Sequence, residues 1–193
     1  KKDGREYYQL TIYHYSNTMQ EDAIDSYLKE NLLPALHKAD IKQVGVFKWL
    51  GNDTAKDKKI YVLIPLSSLA SLQKLPGKND FIAAAGDLSK KYFEAAYDQP
   101  PYNRMETVIM YAFSMAPKMQ VPKLSSSFSE RVYELRSYEK KKKKLHINKV
   151  HMFNEGGEVD LFKRLNFNAV FYASVLAGGN MPNLVYMTSF ENM

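Results

Sequence analysis

The chain contains no cysteine. Disulfides, thiol nucleophiles and cysteine-based metal sites are therefore excluded. There is one tryptophan and there are four histidines. His14, His37, His146 and His151 form no His-x-x-x-His or His-Glu-x-x-His pair, so the helix signature of a zinc site is missing. His146 and His151 are five apart and share a helix face poorly. No apolar run approaches the roughly 20 residues that span a bilayer as a helix. A Gly-rich phosphate loop is lacking, because Gly178-Gly179 precedes a strand-like run and not a helix. There is no Gly-x-Ser-x-Gly turn either. The first residues, Lys1-Lys2-Asp3-Gly4, carry no initiator Met. That start reads as a trimmed chain whose targeting segment has been removed, and an extracytoplasmic location is expected over a cytoplasmic one.

What is present is a soluble globular composition, with 45% hydrophobic and 25% charged residues and a net charge of +6. Lys140–Lys144 are five consecutive lysines. Such a run is either a patch for nucleic acid or anionic lipid, or a solvated loop or helix start. No interleaved aromatics or nucleic-acid motif accompany it, so the solvated reading is preferred and no nucleic-acid partner is expected.

The organising feature is internal repetition. Tyr133, Leu135 and Tyr138 each lie 125 positions after Tyr8, Leu10 and Tyr13. Val185-Tyr186-Met187-Thr188 stands at the same offset from Ile60-Tyr61-Val62-Leu63. An offset held over more than fifty residues reads as a duplicated fold unit.

In the first copy, Glu6–Tyr15 alternates as a strand. Asn17-Thr18 followed by Glu21 offers a capping box. Helical spacing then predicts a helix over Met19–Lys38, with Pro34 kinking or tightening its last turn and Asp40 stopping it in a left-handed conformation. Gln43–Leu50 and Lys59–Leu66 read as an antiparallel hairpin. Ser67–Leu75 reads as a short helical stretch ended by Pro76-Gly77. Asp80–Tyr97 reads as a second amphipathic helix and Glu106–Met115 as a fourth strand. Strand-helix-strand-strand-helix-strand is the split βαβ order, an antiparallel sheet with both helices on one face. The other face is left bare, and the pattern puts Tyr13 and Tyr15 on it.

Residues 116–130, with Pro117, Pro122 and Ser125–Ser127, read as a linker. The second copy runs from a strand at Arg131–Tyr138 through a helix at Leu145–Leu165, interrupted by Gly156-Gly157. Asn166 takes the stopping role, and Ala169–Ala177 with Leu184–Phe190 forms the hairpin. The expected fold is α+β: tandem ferredoxin-like units, 6–115 and 131–193. The second unit lacks its last helix and strand, so either the chain is a partial product or another chain completes the sheet.

Tyr133-Glu134-Leu135-Arg136-Ser137-Tyr138, Leu161-Phe162-Lys163-Arg164-Leu165 and the Ala169-Val170-Phe171-Tyr172 strand resemble a NIPSNAP domain. Leu33–Ile41 and Val44–Phe47 are similar to the corresponding region of tandem members. Gln9 and Thr11 stand in the first copy where the second has Glu134 and Arg136. The resemblance implies a dimeric α/β barrel in which ferredoxin-like sheets pack bare face to bare face, within one chain and again between chains as a homo-oligomer. It carries no agreed enzymatic activity and no cofactor. Related barrels include cofactor-free monooxygenases and haem-handling proteins.

Candidate site residues follow from strand parity. Glu134, Arg136 and Tyr138 share one face of a strand, taken here as the barrel interior, where they read either as an anion-binding or acid/base set or as an ion pair between sheets. Tyr13 and His14 stand at the matching strand of the first copy. Trp49, with Phe47 and Tyr61, reads either as a pocket wall or as core. The leading functional expectation is a module that binds a partner or a small hydrophobic ligand without catalysis. The alternative is a cofactor-free monooxygenase of the antibiotic-biosynthesis type, with Glu134, Arg136 and His14 as candidates for proton transfer.

Overall fold

The computed structural model describes residues 4–75, 87–165 and 167–193. Asn166, Pro76-Gly77 and the start of the expected Asp80–Tyr97 helix lie outside the described residues. The chain packs as two compact units, one formed by 10–107 and the other by 1–9 with 108–193.

In the 10–107 unit, β1 (Tyr7–Tyr15, entering from the other unit) leads into α1 (Thr18–Tyr27). The cap differs in detail from the expected box. Asn17 accepts from the Gln20 N–H at 2.9 Å, and Gln20 Oε1 accepts from the Ser16 N–H at 2.8 Å, so Gln20 and not Glu21 closes it. Pro34 does not tighten the helix. Leu28–Leu32 forms a wider π turn, with the Leu33 N–H reaching back to the Leu28 carbonyl, before α2 (Leu33–Lys38) resumes. The wider turn makes room for a prolyl ring that would otherwise press on the carbonyl four residues earlier. Asp40 then takes φ of +63°, the left-handed stop that its short polar side chain tolerates. The Asp40 N–H bonds the His37 carbonyl and the Ile41 N–H bonds the Leu36 carbonyl, the two bonds of a Schellman end.

The hairpin follows as β2 (Gly45–Lys48) and β3 (Lys58–Leu66), antiparallel with Val46 opposite Val62 and Phe47 opposite Tyr61. Leu69–Lys74 is a 3-10 turn, α3 spans Asp87–Phe93, and β4 (Arg104–Ala112) passes on into the second unit. Strand order in this unit is β2-β3-β1-β4, the split βαβ order. Its core includes Leu10, Ile24, Leu36, Ile60, Leu63 and Leu66, all 3% exposed or less.

In the 108–193 unit, β5 (Val132–Glu139) is followed by α4 (Lys143–Asn154) and α5 (Glu158–Arg164). The expected break falls between them, with Gly157 at φ of +78°. The chain folds back there, and Lys149 Nζ meets the Glu158 carboxylate at 3.1 Å. β6 (Asn168–Ala177) and β7 (Asn183–Phe190) complete an antiparallel order β4-β6-β7-β5. Phe113, Phe153, Val159, Tyr172, Leu184 and Tyr186 form the core beneath the helices, with Tyr138, Val150 and Phe162 packed against it. The lysine run lies at a bend and the first turn of α4, and Lys141–Lys144 are exposed.

The two units share an arrangement. β1 neighbours β3 with β2 outside it, and β5 neighbours β7 with β6 outside it.

Candidate functional site

Alternation along β1 sends adjacent side chains to opposite faces. The sequence pattern put Tyr13 and Tyr15 on the bare face, and this is corrected. Tyr13 meets Tyr102 at 5.7 Å between ring centroids. It also hydrogen-bonds Tyr92 of α3, and burial pushes its phenol up to about 12. Tyr92 in turn stacks on Tyr27 of α1 at 4.1 Å. Tyrosines fill the space under the helices because a ring buries a large apolar area while its hydroxyl finds a partner. The same parity error affects the second copy. Tyr138 stacks on Tyr186 at 5.9 Å and packs with Phe153 of α4, so Glu134, Arg136 and Tyr138 are on the helix side of their strand. Arg136 pairs with Glu134 at 2.8 Å and reaches the Tyr186 hydroxyl at 3.5 Å. The carboxylate of Glu134 first, then the phenols of Tyr186 and Tyr138, hold the guanidinium well above its usual range. The hydrogen bond to Tyr186, helped by Arg136, lowers the Tyr138 phenol.

His14 goes the other way, to the sheet face away from the helices, where Tyr8 and Leu10 are also buried. Its side chain is 6% exposed. Nδ1 lies 3.0 Å from both oxygens of Asp57, which precedes β3. Nε2 lies 3.2 Å from an Arg104 nitrogen and 3.1 Å from Glu106 Oε1. Arg104 and Glu106 are two apart on β4, so they share a face, and they pair with each other. The Asn103 N–H donates to the His14 carbonyl at 2.7 Å, which fixes β4 beside β1 at this level. Tyr61 on β3 also feels this cluster: burial, then the charges of Asp57 and Glu106, raise its phenol.

The chemistry of this arrangement is specific. Asp57 accepts from Nδ1–H and so directs the basic lone pair to Nε2. A neutral ring accepts there from Arg104. A ring protonated at Nε2 donates there to Glu106. Both proton states therefore have partners, as a group that takes up and returns a proton requires. Arg104 and Asp57 are more than half exposed while the ring is not, so the base is sheltered yet close to solvent.

The six sequence-derived residues thus do not converge. His14 stands in the cluster, Tyr13 is under the helices, and Glu134, Arg136 and Tyr138 belong to the other unit. Trp49 is 44% exposed, lies over Gly51 and has Lys59 Nζ 5.3 Å from its ring. Asp57, Arg104 and Glu106 escaped the sequence reading. Asp57 sat in a polar hairpin loop with other charges, and only the pairing of three strands brings it to His14. The alternation of Arg104 and Glu106 at the start of β4 was the one available signal. Among the described residues no group of three His, Asp or Glu side chains is placed to hold a metal ion. No described helix is long and apolar enough to cross a membrane.

No family model and no curated protein matches the chain. Solved structures do. A candidate monooxygenase from Lactobacillus acidophilus NCFM superposes with a TM-score of 0.57 at 10% identity, over 97% of this chain and 78% of its own. Another candidate monooxygenase, from Fusobacterium nucleatum, gives 0.57 at 6% identity over 98% and 77%. A dimeric ferredoxin-like protein from an uncultured marine organism gives 0.38 at 12% identity over 56% and 89%, too distant to bear on the fold. At these identities the likeness shows the architecture alone: an α+β chain with an antiparallel sheet, shared with proteins described as monooxygenase candidates.

Proposed function

We propose that this chain is a duplicated ferredoxin-like protein of the NIPSNAP and cofactor-free monooxygenase kind, with units 6–115 and 131–193 joined by 116–130. In this reading it binds a small hydrophobic substrate on the sheet face away from the helices, and His14 removes a proton from it. Copies of the chain pair through sheet faces. The observation that carries the proposal is the His14–Asp57 contact at 3.0 Å on that face. The monooxygenase descriptions of the two structural neighbours agree with it.

The reaction needs no resident cofactor. His14 Nε2 accepts a proton from an acidic methylene of the substrate, and the carbanion gives its electrons to dioxygen. A hydroperoxide forms on that carbon and then loses water. The methylene and one dioxygen molecule thus become a ketone and one water, with one oxygen atom in each product. The imidazolium, held by Asp57 and Glu106, protonates the peroxide as it forms; the neutral ring then takes the remaining proton from that carbon as the O–O bond breaks, and passes it to the departing hydroxide to give the water.

Anthrone is a suitable probe because its methylene is acidic and its body is apolar. An oxygen electrode should record uptake that is enzyme-dependent. His14→Gln and Asp57→Asn should lower kcat/KM by about a hundredfold or more, the range of general acid–base effects. Anthrone that raises the melting temperature without oxygen uptake would favour the NIPSNAP-like, binding-only reading. Neither uptake nor stabilisation would end the proposal, since a ligand bound to the native state must stabilise it.

A further inference from the structure

A groove lies in the 108–193 unit, and none of its lining residues belongs to the His14 cluster. The stretch 116–123, read from sequence as the start of a linker, is a strap fixed at several points. The Glu6 N–H donates to the Pro117 carbonyl at 2.8 Å, and the Met119 N–H donates to the Glu6 carboxylate at 2.8 Å. The Gln120 N–H donates to the Val170 carbonyl of β6 at 2.8 Å. Between this strap, α5 and the start of β6 runs a groove of about 440 Å³. That volume is in the range of small-molecule pockets.

Its lining has two characters. The floor and walls are apolar, from Ala116, Val121, Val159, Phe167 and Val170 among others, and Val121 is 57% exposed. Among the described residues the charged members of the lining are lysines, Lys118, Lys123 and Lys163, with no carboxylate beside them in the lining. Lys163 is paired with Asp160 at 3.3 Å. Among the described residues Lys118 and Lys123 have no ion-pair partner. Pro117 and Pro122 restrict the strap's backbone, so the trough is preformed and little ordering opposes binding.

We propose that this groove binds a linear amphipathic anion, a fatty-acid carboxylate of medium chain length. The chain lies on the apolar floor and the head sits between Lys118 and Lys123. A docked peptide is disfavoured, because the Gln120 N–H and Val170 carbonyl are already bonded to each other and the volume suits a small molecule. Burying the alkyl chain drives binding, and the two ammonium groups select the sign of the head group.

Calorimetric titration tests this with monomeric decanoate against decyltrimethylammonium of equal chain length, both below micelle formation. Decanoate should bind and raise the melting temperature, and the cation should bind at least tenfold more weakly. Lys118→Glu combined with Lys123→Glu, both exposed positions, should weaken decanoate at least tenfold, and so should Val121→Asp, while circular dichroism stays unchanged. His14→Gln should bind decanoate as the wild type does. Equal binding of anion and cation, or an unaffected lysine variant, would overturn the inference. So would loss of decanoate binding in His14→Gln, or capture of the protein by phosphatidylglycerol vesicles with monomeric decanoate ignored.

Discussion

Glu191 shows how one carboxylate fixes a segment that composition marks as loose. Its oxygens accept from the Ser125 N–H at 3.0 Å, the Ser125 hydroxyl at 3.1 Å and the Ser126 N–H at 2.8 Å. Those donors, the two backbone N–H groups first, hold the carboxyl down to about 2. A depressed acid stabilises the fold above its unfolded value and loses that contribution as pH falls towards its folded one. The 125–126 segment should therefore keep its amide protection above about pH 4.5 and lose it progressively towards pH 2, as hydrogen exchange read by NMR would show. Glu191→Gln should speed exchange at Ser125 and Ser126 at neutral pH. Trp49 offers a second local test. A Cβ on Gly51 would lie 2.7 Å from the indole, and only the ring can give way. Gly51→Ala should displace the single tryptophan and shift its emission to the red, with little change in stability because the ring is already 44% exposed. Neither contact was legible in the sequence, since both join residues whose neighbours in the chain predict nothing about them.

At the scale of elements, what the sequence revealed was periodicity and what it hid was facing. The strands, the hairpins, the Asp40 stop and the break at Gly156-Gly157 follow from local pattern. The side of β1 and β5 that meets the helices did not, because both faces carry tyrosine. The more polar set, with Tyr13 and Tyr138, proved to be the one under the helices: Tyr13 bonds Tyr92 and Tyr138 bonds Tyr186, whose hydroxyl Arg136 also reaches, so polarity did not mean exposure. Phe153 anchors the second packed face. It is fully buried and its ring meets those of Phe113, Phe162, Tyr172 and Tyr186 within 6.2 Å. Phe153→Ala should cost about 3–5 kcal/mol in denaturant unfolding. Gly156→Ala should also destabilise, by about 1–3 kcal/mol, because its Cβ would fall 2.7 Å from the Met152 carbonyl oxygen, and backbone yields less readily than a side chain.

At the scale of the whole molecule the 125-residue offset was the strongest sequence signal, and the duplication it suggests belongs to the proposed reading, beside strand orders β2-β3-β1 and β6-β7-β5. Function was less legible. Glu134, Arg136 and Tyr138, the charged and phenolic residues of the NIPSNAP-like stretch, lie on the helix side of β5, whereas the cluster with acid–base character depends on Asp57, Arg104 and Glu106, which only the fold assembles around His14. The account stands on that cluster being the place where a substrate meets the protein. The four histidines, one in the cluster and three elsewhere, allow a direct test by nitrogen-15 NMR of histidine-labelled protein titrated with anthraquinone, the expected product. The His14 ring nitrogens should shift with saturation while those of His37, His146 and His151 stay in place. A titration in which His14 is silent, or in which only the other histidines move, would contradict the account.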